Sequence, residues 1–331
     1  MRIPGSGLFA GVDVGGTKIG VVISDAHAKI VAEGVIPTEP QAGPAQAVER
    51  TNRLLDDLCR EHSVEILAIG VGLPGLVDHE AGTTIFLPSL PEQWRGFGIS
   101  AAFASFSQRP VFLLNDARMA TLGEFTFGKG GGSQDMRFVI VGTGIGGGLV
   151  PDGKLRLGAF GAAGELGHHT IVPEGPVWGC GNRGCLEALV SGPSLAAAGR
   201  APMREACAPR LRELVGGDPA KVTATRMADA AAEGDDTIAD AIRVAADYLG
   251  LGIANAVTIT AVPNVNIGGG LSILRDLLVE PVRQQIRRRV RMFPADVVQV
   301  SCSSLGEKCG GLGGVALAVQ GYSRTTLSVS T

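Results

Sequence analysis

Residues 8–14, LFAGVDV, form a mostly apolar run closed by valine after a single acid, which predicts a buried strand. GGTK then reads as a turn, IGVVIS as a second strand and KIVAEGVIP as a third, so the chain opens with a β-meander. Over 44–60, Ala47, Thr51, Leu54, Leu55, Leu58 and Cys59 recur at helical spacing. ILAIGVGLPG is a strand running into a Gly/Pro turn, and VFLLND at 111–116 is another strand, followed by a helix over ARMATLGEFTFG. The device then recurs: MRFVIVGTGIGGGLV reads as strand, glycine turn, strand, and PDGKL supplies an Asp-Gly hairpin turn. Later segments are helical, with Ile238, Ile242, Ala245, Leu249 and Ile253 on one face and a further helix over 272–290. Between these, NVNIGGGLS reads as strand, glycines, helix, and GGLGGVALAVQ as a helix whose small residues admit close packing.

No linker or low-complexity segment separates the two halves. The expected division is a smaller α/β domain of residues 1–118 plus about 316–331, and a larger one of 119–315. Composition narrows the class. Apolar residues make up 45% and charged residues 18% of 331, which suits a globular protein with a large core. A net charge of −3 gives no electrostatic case for nucleic acid, and RRRVR at 287–291 reads as the wet face of a helix. No signal-length apolar segment opens the chain, and no stretch reads as a membrane span of roughly 20 residues. Six cysteines at scattered spacings do not make a disulfide framework, so reduced thiols and a cytoplasmic location are expected.

The 49 glycines cluster at turns. In DVGGTK, a plain hairpin is one reading; the other is that Gly15, Gly16, Thr17 and Lys18 face a phosphate, with Asp13 holding magnesium through water. GTGIGG at 142–147 matches a dinucleotide fingerprint but continues as a strand where that fingerprint opens a helix. A second phosphate turn of Gly142, Thr143 and Gly144 fits better, with positive φ expected at Gly144. The third set, Gly268, Gly269 and Gly270, precedes a helix, where a flat ligand or an anion could approach. Asn115 and Asp116 sit where a strand meets a helix, so either a helix cap or a base accepting a hydroxyl proton is possible there.

Together these segments resemble the ROK family of sugar kinases and repressors, within the actin-like ATPase superfamily. The resemblance is carried by GVDVGGTKIG (11–20), GLPGLVD (72–78), LLNDARMATLGE (113–124), VGTGIGGGLV (141–150), GAAGELGHHTI (161–171), CGNRGCLEALVSGP (180–193) and IGGGLS (267–272). It implies a two-domain α/β fold with a ribonuclease-H-like core and an inter-domain active-site cleft. It also implies ATP, magnesium and transfer of a phosphoryl group to a hexose hydroxyl. Asp116 matches the catalytic base. Gly75, Asn115, Glu165, His168 and Glu187 match the sugar ligands, which suits carboxylates and imidazole making directional contacts to vicinal hydroxyls.

The family also binds zinc through the GELGH histidine and three cysteines. Here His168, Cys180 and Cys185 match, while Trp178 stands in place of the first cysteine. The loop is therefore either a zinc site with three protein ligands or a metal-free knuckle, since structural zinc takes four ligands. Its five-residue cysteine spacing is not that of a redox C-x-x-C pair. Ser89 stands where the family usually has asparagine. Glucose is the expected acceptor, with N-acetylglucosamine, N-acetylmannosamine, allose and fructose as alternatives. A family repressor is disfavoured because only twelve residues precede Asp13, too few for a helix-turn-helix. A homodimer is implied, with no nucleic-acid or membrane partner.

Overall fold

The computed structural model describes residues 7–329, which divide into two compact units. One comprises the chain up to Gly132, the segment Gly153–Ala163 and everything from Ser304 onward; the other comprises Ser133–Asp152 and Gly164–Ser303.

The first unit is built on a five-stranded sheet of β1 (Leu8–Val14), β2 (Lys18–Asp25), β3 (Ile30–Pro37), β4 (Ile66–Leu73) and β7 (Val111–Asn115) in the order β3-β2-β1-β4-β7. β1, β2 and β3 form the expected antiparallel meander, while β4 and β7 run parallel to β1. Helix α1 (Pro44–Glu61) buries Ala47, Val48, Leu55 and Leu58 in the core on one side. A small hairpin, β5 (Leu76–Asp78) with β6 (Thr83–Phe86), and helix α2 (Ile99–Ser107) lie between β4 and β7 in sequence. Helix α3 (Asp116–Phe127) follows β7 directly, and α10 (Cys309–Val329) completes the unit.

Helix α10 meets the sheet backbone to backbone. A Cβ placed on Gly11 would lie 1.8 Å from the Gly311 carbonyl oxygen, and one on Gly70 would lie 2.0 Å from that of Gly314. On the α3 side, a Cβ on Gly313 would lie 1.9 Å from the Met119 oxygen. These contacts bring α3 and α10 into one body with β1 and β4. The sequence placed the divisions at 118 and 316; the compact units divide at 132 and 304 because α3 and the start of α10 pack on each other.

The second unit carries a four-stranded sheet in the order β11-β10-β8-β9, with β8 (Met136–Val141), β9 (Ile145–Val150), β10 (Asn264–Gly268) and β11 (Gln299–Cys302). β8 and β9 are antiparallel, repeating the strand–turn–strand device of β1 and β2, while β10 pairs parallel with both β8 and β11. Helices α4 (Leu186–Val190), α5 (Gly192–Arg204), α6 (Pro209–Leu214), α7 (Ala224–Ala232), α8 (Asp236–Thr260) and α9 (Asp276–Arg289) supply the rest. The stripe Ile238, Ile242, Leu249, Ile253 and Val257 buries α8 in this core. At 25 residues, α8 is the one described helix long and apolar enough to cross a membrane, which the sequence did not flag; its apolar face is consumed by packing.

Two local expectations change. The Asp-Gly turn forms, with Asp152 and Gly153 at φ 51° and 70°, yet no strand follows it. Residues 153–163 instead join the first unit, where Leu155 and Leu157 pack with Leu114, Met119 and Leu122. The helix expected over 272–290 is broken at Arg275, whose φ of 48° ends a 3-10 turn over Gly270–Leu274. The Arg275 carbonyl then accepts from the N–H groups of Leu278 and Val279 and starts α9.

Gly70→Ala is expected to destabilise the protein by about 3 kcal/mol, because the added methyl meets backbone that cannot rotate away. Gly20→Ala, on the same sheet with nothing within 4 Å of the new methyl, is expected to stay within about 0.5 kcal/mol. Urea denaturation midpoints of the two variants check this; equal midpoints would refute the close packing of α10.

Candidate active site

Asp13 lies near the carboxyl end of β1, level with Gly72 of β4, which is itself level with Leu114 of β7. With strands about 4.8 Å apart, Asp13 and Leu114 are about 10 Å apart. The phosphate-type turn and the start of α3 therefore share one edge of one sheet, the edge where open parallel sheets hold ligands.

The DVGGTK turn is tied down from behind. Gly15 N–H donates to the Lys18 carbonyl at 2.9 Å, and the buried Thr38 hydroxyl donates to the Gly15 carbonyl at 2.7 Å. Thr17 and Lys18 are exposed at its tip, and the Ser89 carbonyl lies 3.5 Å from where a Gly16 Cβ would stand. Thr38 had no signal in sequence, because its contact spans 23 residues. Asp13 is enclosed by the first turn of α10: a Cβ on Gly310 would lie 2.1 Å from its Oδ2. Burial pushes its carboxyl above the ordinary range, and the Lys18 ammonium opposes that shift. Beside it the Cys309 thiol is pushed up to about 12 by burial and by the charges of Asp13 and Glu124.

The two readings of LLND separate cleanly. Asn115 is the cap of α3: its Oδ1 accepts from Arg118 N–H at 3.1 Å and its Nδ2 donates to the Gly75 carbonyl at 2.9 Å. Gly75 must be glycine, since φ is +88° and a Cβ would lie 2.2 Å from the Phe86 oxygen. Asp116, next along, is the first residue of α3 and half-buried, and its Oδ1 accepts from Ala117 N–H at 2.7 Å. Asn115 thus takes the cap role, and Asp116 follows it as the first residue of α3. A small recess beside Asn115 is lined by Val77, His79, Arg118, Leu157 and Phe160.

In the second unit, the glycine turns meet. Gly142 N–H donates to the Gly144 carbonyl at 2.8 Å, and Gly192 N–H to the Gly142 carbonyl at 2.7 Å. A Cβ on Gly142 would lie 3.9 Å from Gly270 N, and nothing stands within 4 Å of one on Gly270, so the backbone there is open to a ligand. Thr143 is exposed at the tip, and Gly268 is filled in behind by the Phe138 ring. Gly269, at φ +85°, backs onto Val141. Gly144 lies outside the left-handed region, contrary to expectation. Its constraint is different: a Cβ there would lie 2.5 Å from Oε2 of Glu187.

Glu187, in the first turn of α4, is gripped twice. Ile145 N–H donates to its Oε2 and the Trp178 indole N–H to its Oε1. Glu165 and His168 sit one 3-10 turn apart, with Oε2 and Nε2 separated by 3.7 Å. His169 turns away: its Nδ1 donates to the Leu166 carbonyl at 2.6 Å, and its Cε1 lies near Gly252. The ligand atoms of His168, Cys180 and Cys185 all lie within 4.8 Å of one another, the thiols 3.7 Å apart. Tetrahedral zinc with bonds of about 2.3 Å requires a sulfur separation of about 3.8 Å, so these three fit zinc.

A model of the ROK family matches residues 9–321. The chain belongs to the ROK family. It is 34% identical to the glucokinase of Streptomyces coelicolor over 94% of this chain and 98% of that one. It is also 31% identical to the xylose repressor of Caldicellulosiruptor bescii, over 95% of this chain and 78% of that one. The ROK family glucokinase of Streptomyces griseus, solved in complex with glucose and AMPPNP, matches with a TM-score of 0.81 and 32% identity, covering 95% of this chain and 100% of that one. The fold is thus that of ROK sugar kinases, the actin-like ATPase fold.

Asp13→Asn is expected to raise stability at neutral pH. A buried acid whose folded pKa is raised contributes stability below its unfolded value, about 3.9, and loses it as pH rises through the folded value. The amide is neutral throughout, so its advantage over aspartate should shrink as pH falls from 7 toward 4. Thermal midpoints of both proteins across that window check the sign; a D13N variant less stable than wild type at pH 7 would refute it.

Proposed function

We propose that this ROK protein is an ATP-dependent sugar kinase that phosphorylates a hexose hydroxyl, with glucose as its preferred acceptor. The observation that carries the reading is the placement of Asp116 at the start of α3, directly after the Asn115 cap and at the carboxyl end of the sheet that also carries Asp13. Its carboxylate would accept the proton of the attacking hydroxyl. An ordinary acidic pKa suffices, because the transition state for phosphoryl transfer is loose and the proton leaves late. Asn115 and Gly75 form the floor beside it, and Glu165, His168 and Glu187 would hold the ring hydroxyls through charge-assisted hydrogen bonds.

The turn of Gly15, Gly16, Thr17 and Lys18 in the first unit and the open backbone at Gly142, Thr143 and Gly268–Gly270 in the second are each suited to ATP phosphates. Asp13 would hold magnesium through its water shell; when bound, magnesium neutralises the charge of the phosphates. His168, Cys180 and Cys185 would hold one zinc ion, whose contribution is to fix the loop carrying Glu187. The similarity to a glucokinase over nearly the whole chain supports the kinase reading, and favours glucose over the N-acetylhexosamines, allose and fructose.

A coupled ADP-release assay over these sugars tests the assignment, with the highest kcat/KM expected for glucose. Asp116→Asn should lower kcat by about 10²–10⁴ while glucose still binds, since the amide keeps the shape but takes no proton. A variant retaining half of wild-type kcat would show that Asp116 is not the base. Elemental analysis of protein purified without chelator or metal-affinity resin should give about one zinc per chain. Less than about a tenth of a zinc, with full activity, would show that the knuckle works without metal.

A further inference from the structure

Trp178 stands in the cysteine loop, where the family resemblance leads to an expected cysteine, and its side chain touches Glu187. Its half-buried indole donates to Glu187 across nine residues, and nothing in the ligand geometry of the two thiols requires that contact. The loop bearing it is shaped by its own backbone. Val177 and Arg183 pair as a bridge, Trp178 N–H donates to the Asn182 carbonyl at 2.9 Å, and Gly181 N–H donates to the Trp178 carbonyl at 2.9 Å. Gly181 and Gly184, at φ 84° and 61°, close the knuckle. The indole is therefore delivered to Glu187 by a tight hairpin rather than by a long mobile side chain. On the opposite side, Ile145 N–H takes the other carboxylate oxygen, and the bare Cα of Gly144 leaves the room it occupies.

We propose that Trp178 is a positioning residue for the sugar. Its indole N–H and the Ile145 amide clamp the Glu187 carboxylate in advance, so that the remaining lone pairs meet the substrate's hydroxyls without reorganisation. The inference rests on reading Glu187 as a sugar ligand. An indole N–H suits this role because it donates only, carries no charge and cannot accept a hydroxyl proton in Glu187's place. Two donors use two of the carboxylate's roughly four lone-pair sites, leaving acceptors for the ligand. A free glutamate side chain gives up much rotamer freedom on being fixed, and fixing it beforehand removes that cost from binding. Because Glu187 would act on binding and Asp116 on transfer, losing the clamp should move KM and spare kcat.

The test combines spectroscopy with kinetics. The protein has two tryptophans, and Trp94 donates to the Pro40 carbonyl at 2.9 Å, far along the chain from the cysteine loop. In ¹⁵N-tryptophan-labelled protein, with the signals assigned through Trp178→Phe or Trp94→Phe, Glu187→Gln should shift the Trp178 indole N–H signal upfield and leave that of Trp94 in place. Trp178→Phe keeps the ring and removes the donor; it should raise the glucose KM about tenfold with kcat within about twofold. Combined with Glu187→Gln, its effect on KM should be much smaller than in the wild-type background, since both changes remove one interaction. A Trp178 signal unmoved by Glu187→Gln overturns the proposal. So does additivity of the two KM effects. An unchanged KM in Glu187→Gln, with the indole shift present, overturns the sugar-ligand reading of Glu187, and the positioning role falls with it although the bond exists. The indole shift needs no activity, so it decides the contact even where Trp178→Phe folds poorly.

Discussion

The contact on which the first unit depends is between backbones: α10 lies so close to β1, β4 and α3 that side chains at Gly11, Gly70, Gly311, Gly313 and Gly314 have no space. Ordinary helix-on-sheet packing is mediated by side chains and tolerates some sliding. Here the peptide planes themselves are in contact, and interiors at crystal-like density do not deform to admit even a methyl group. The consequence reaches the chemistry. Asp13 is the penultimate residue of β1, Asp116 is the first residue of α3, and α10 packs against both elements. A helix from the end of the chain is thereby part of the unit that begins it, and the first turn of that helix is what encloses the Asp13 carboxylate and the Cys309 thiol.

Three of the four carboxylates proposed to act on ligands lie in three different environments. Asp13 is held where burial disfavours its charge and only Lys18 compensates, a costly arrangement that a bound cation would relieve. Asp116 sits at a helix N-terminus, where charge is favoured and an ordinary base is wanted. Glu187 is neither buried nor left to solvent; it is oriented by two N–H donors. In the roles proposed for them, an acid that would bind a metal through water, one that would take a proton and one that would recognise hydroxyls need different things. The fold provides each by placing the residue at a strand end, a helix start or a clamped first turn.

Local signals in the sequence were good guides to local structure. The two strand–turn–strand devices, the helix after Asn115 and the small-residue character of α10 all form as the pattern implies. What sequence could not supply was partnership across long separations. Thr38 supports the Gly15 turn, Glu187 explains Gly144, and Leu155 and Leu157 draw residues 153–163 into the first unit; none of these leaves a periodic trace. Gly144 is instructive, because glycine was expected there for its backbone freedom and is present for the carboxylate beside it. The break at Arg275 is of the other kind: a non-glycine residue in the left-handed region interrupts a pattern that otherwise reads as one continuous helix.

The cysteine knuckle joins these threads. The ligand atoms of His168, Cys180 and Cys185 lie at zinc-compatible spacing, and Trp178, in the same loop, reaches the acid that the knuckle precedes. A metal ligand and an indole donor are different means of restraining the same short loop. A zinc ion, as proposed, would restrain it by bonds to side chains at its base; the indole contacts the Glu187 carboxylate directly. Three protein ligands would make the first means the weaker one, because structural zinc takes four protein bonds. The second does not depend on the metal at all, since backbone hydrogen bonds from Val177 to Gly184 already set the hairpin from which Trp178 projects. Whatever the metal content of the loop, the hairpin and the indole hold Glu187, so the orientation of that carboxylate is set by backbone and Trp178 together.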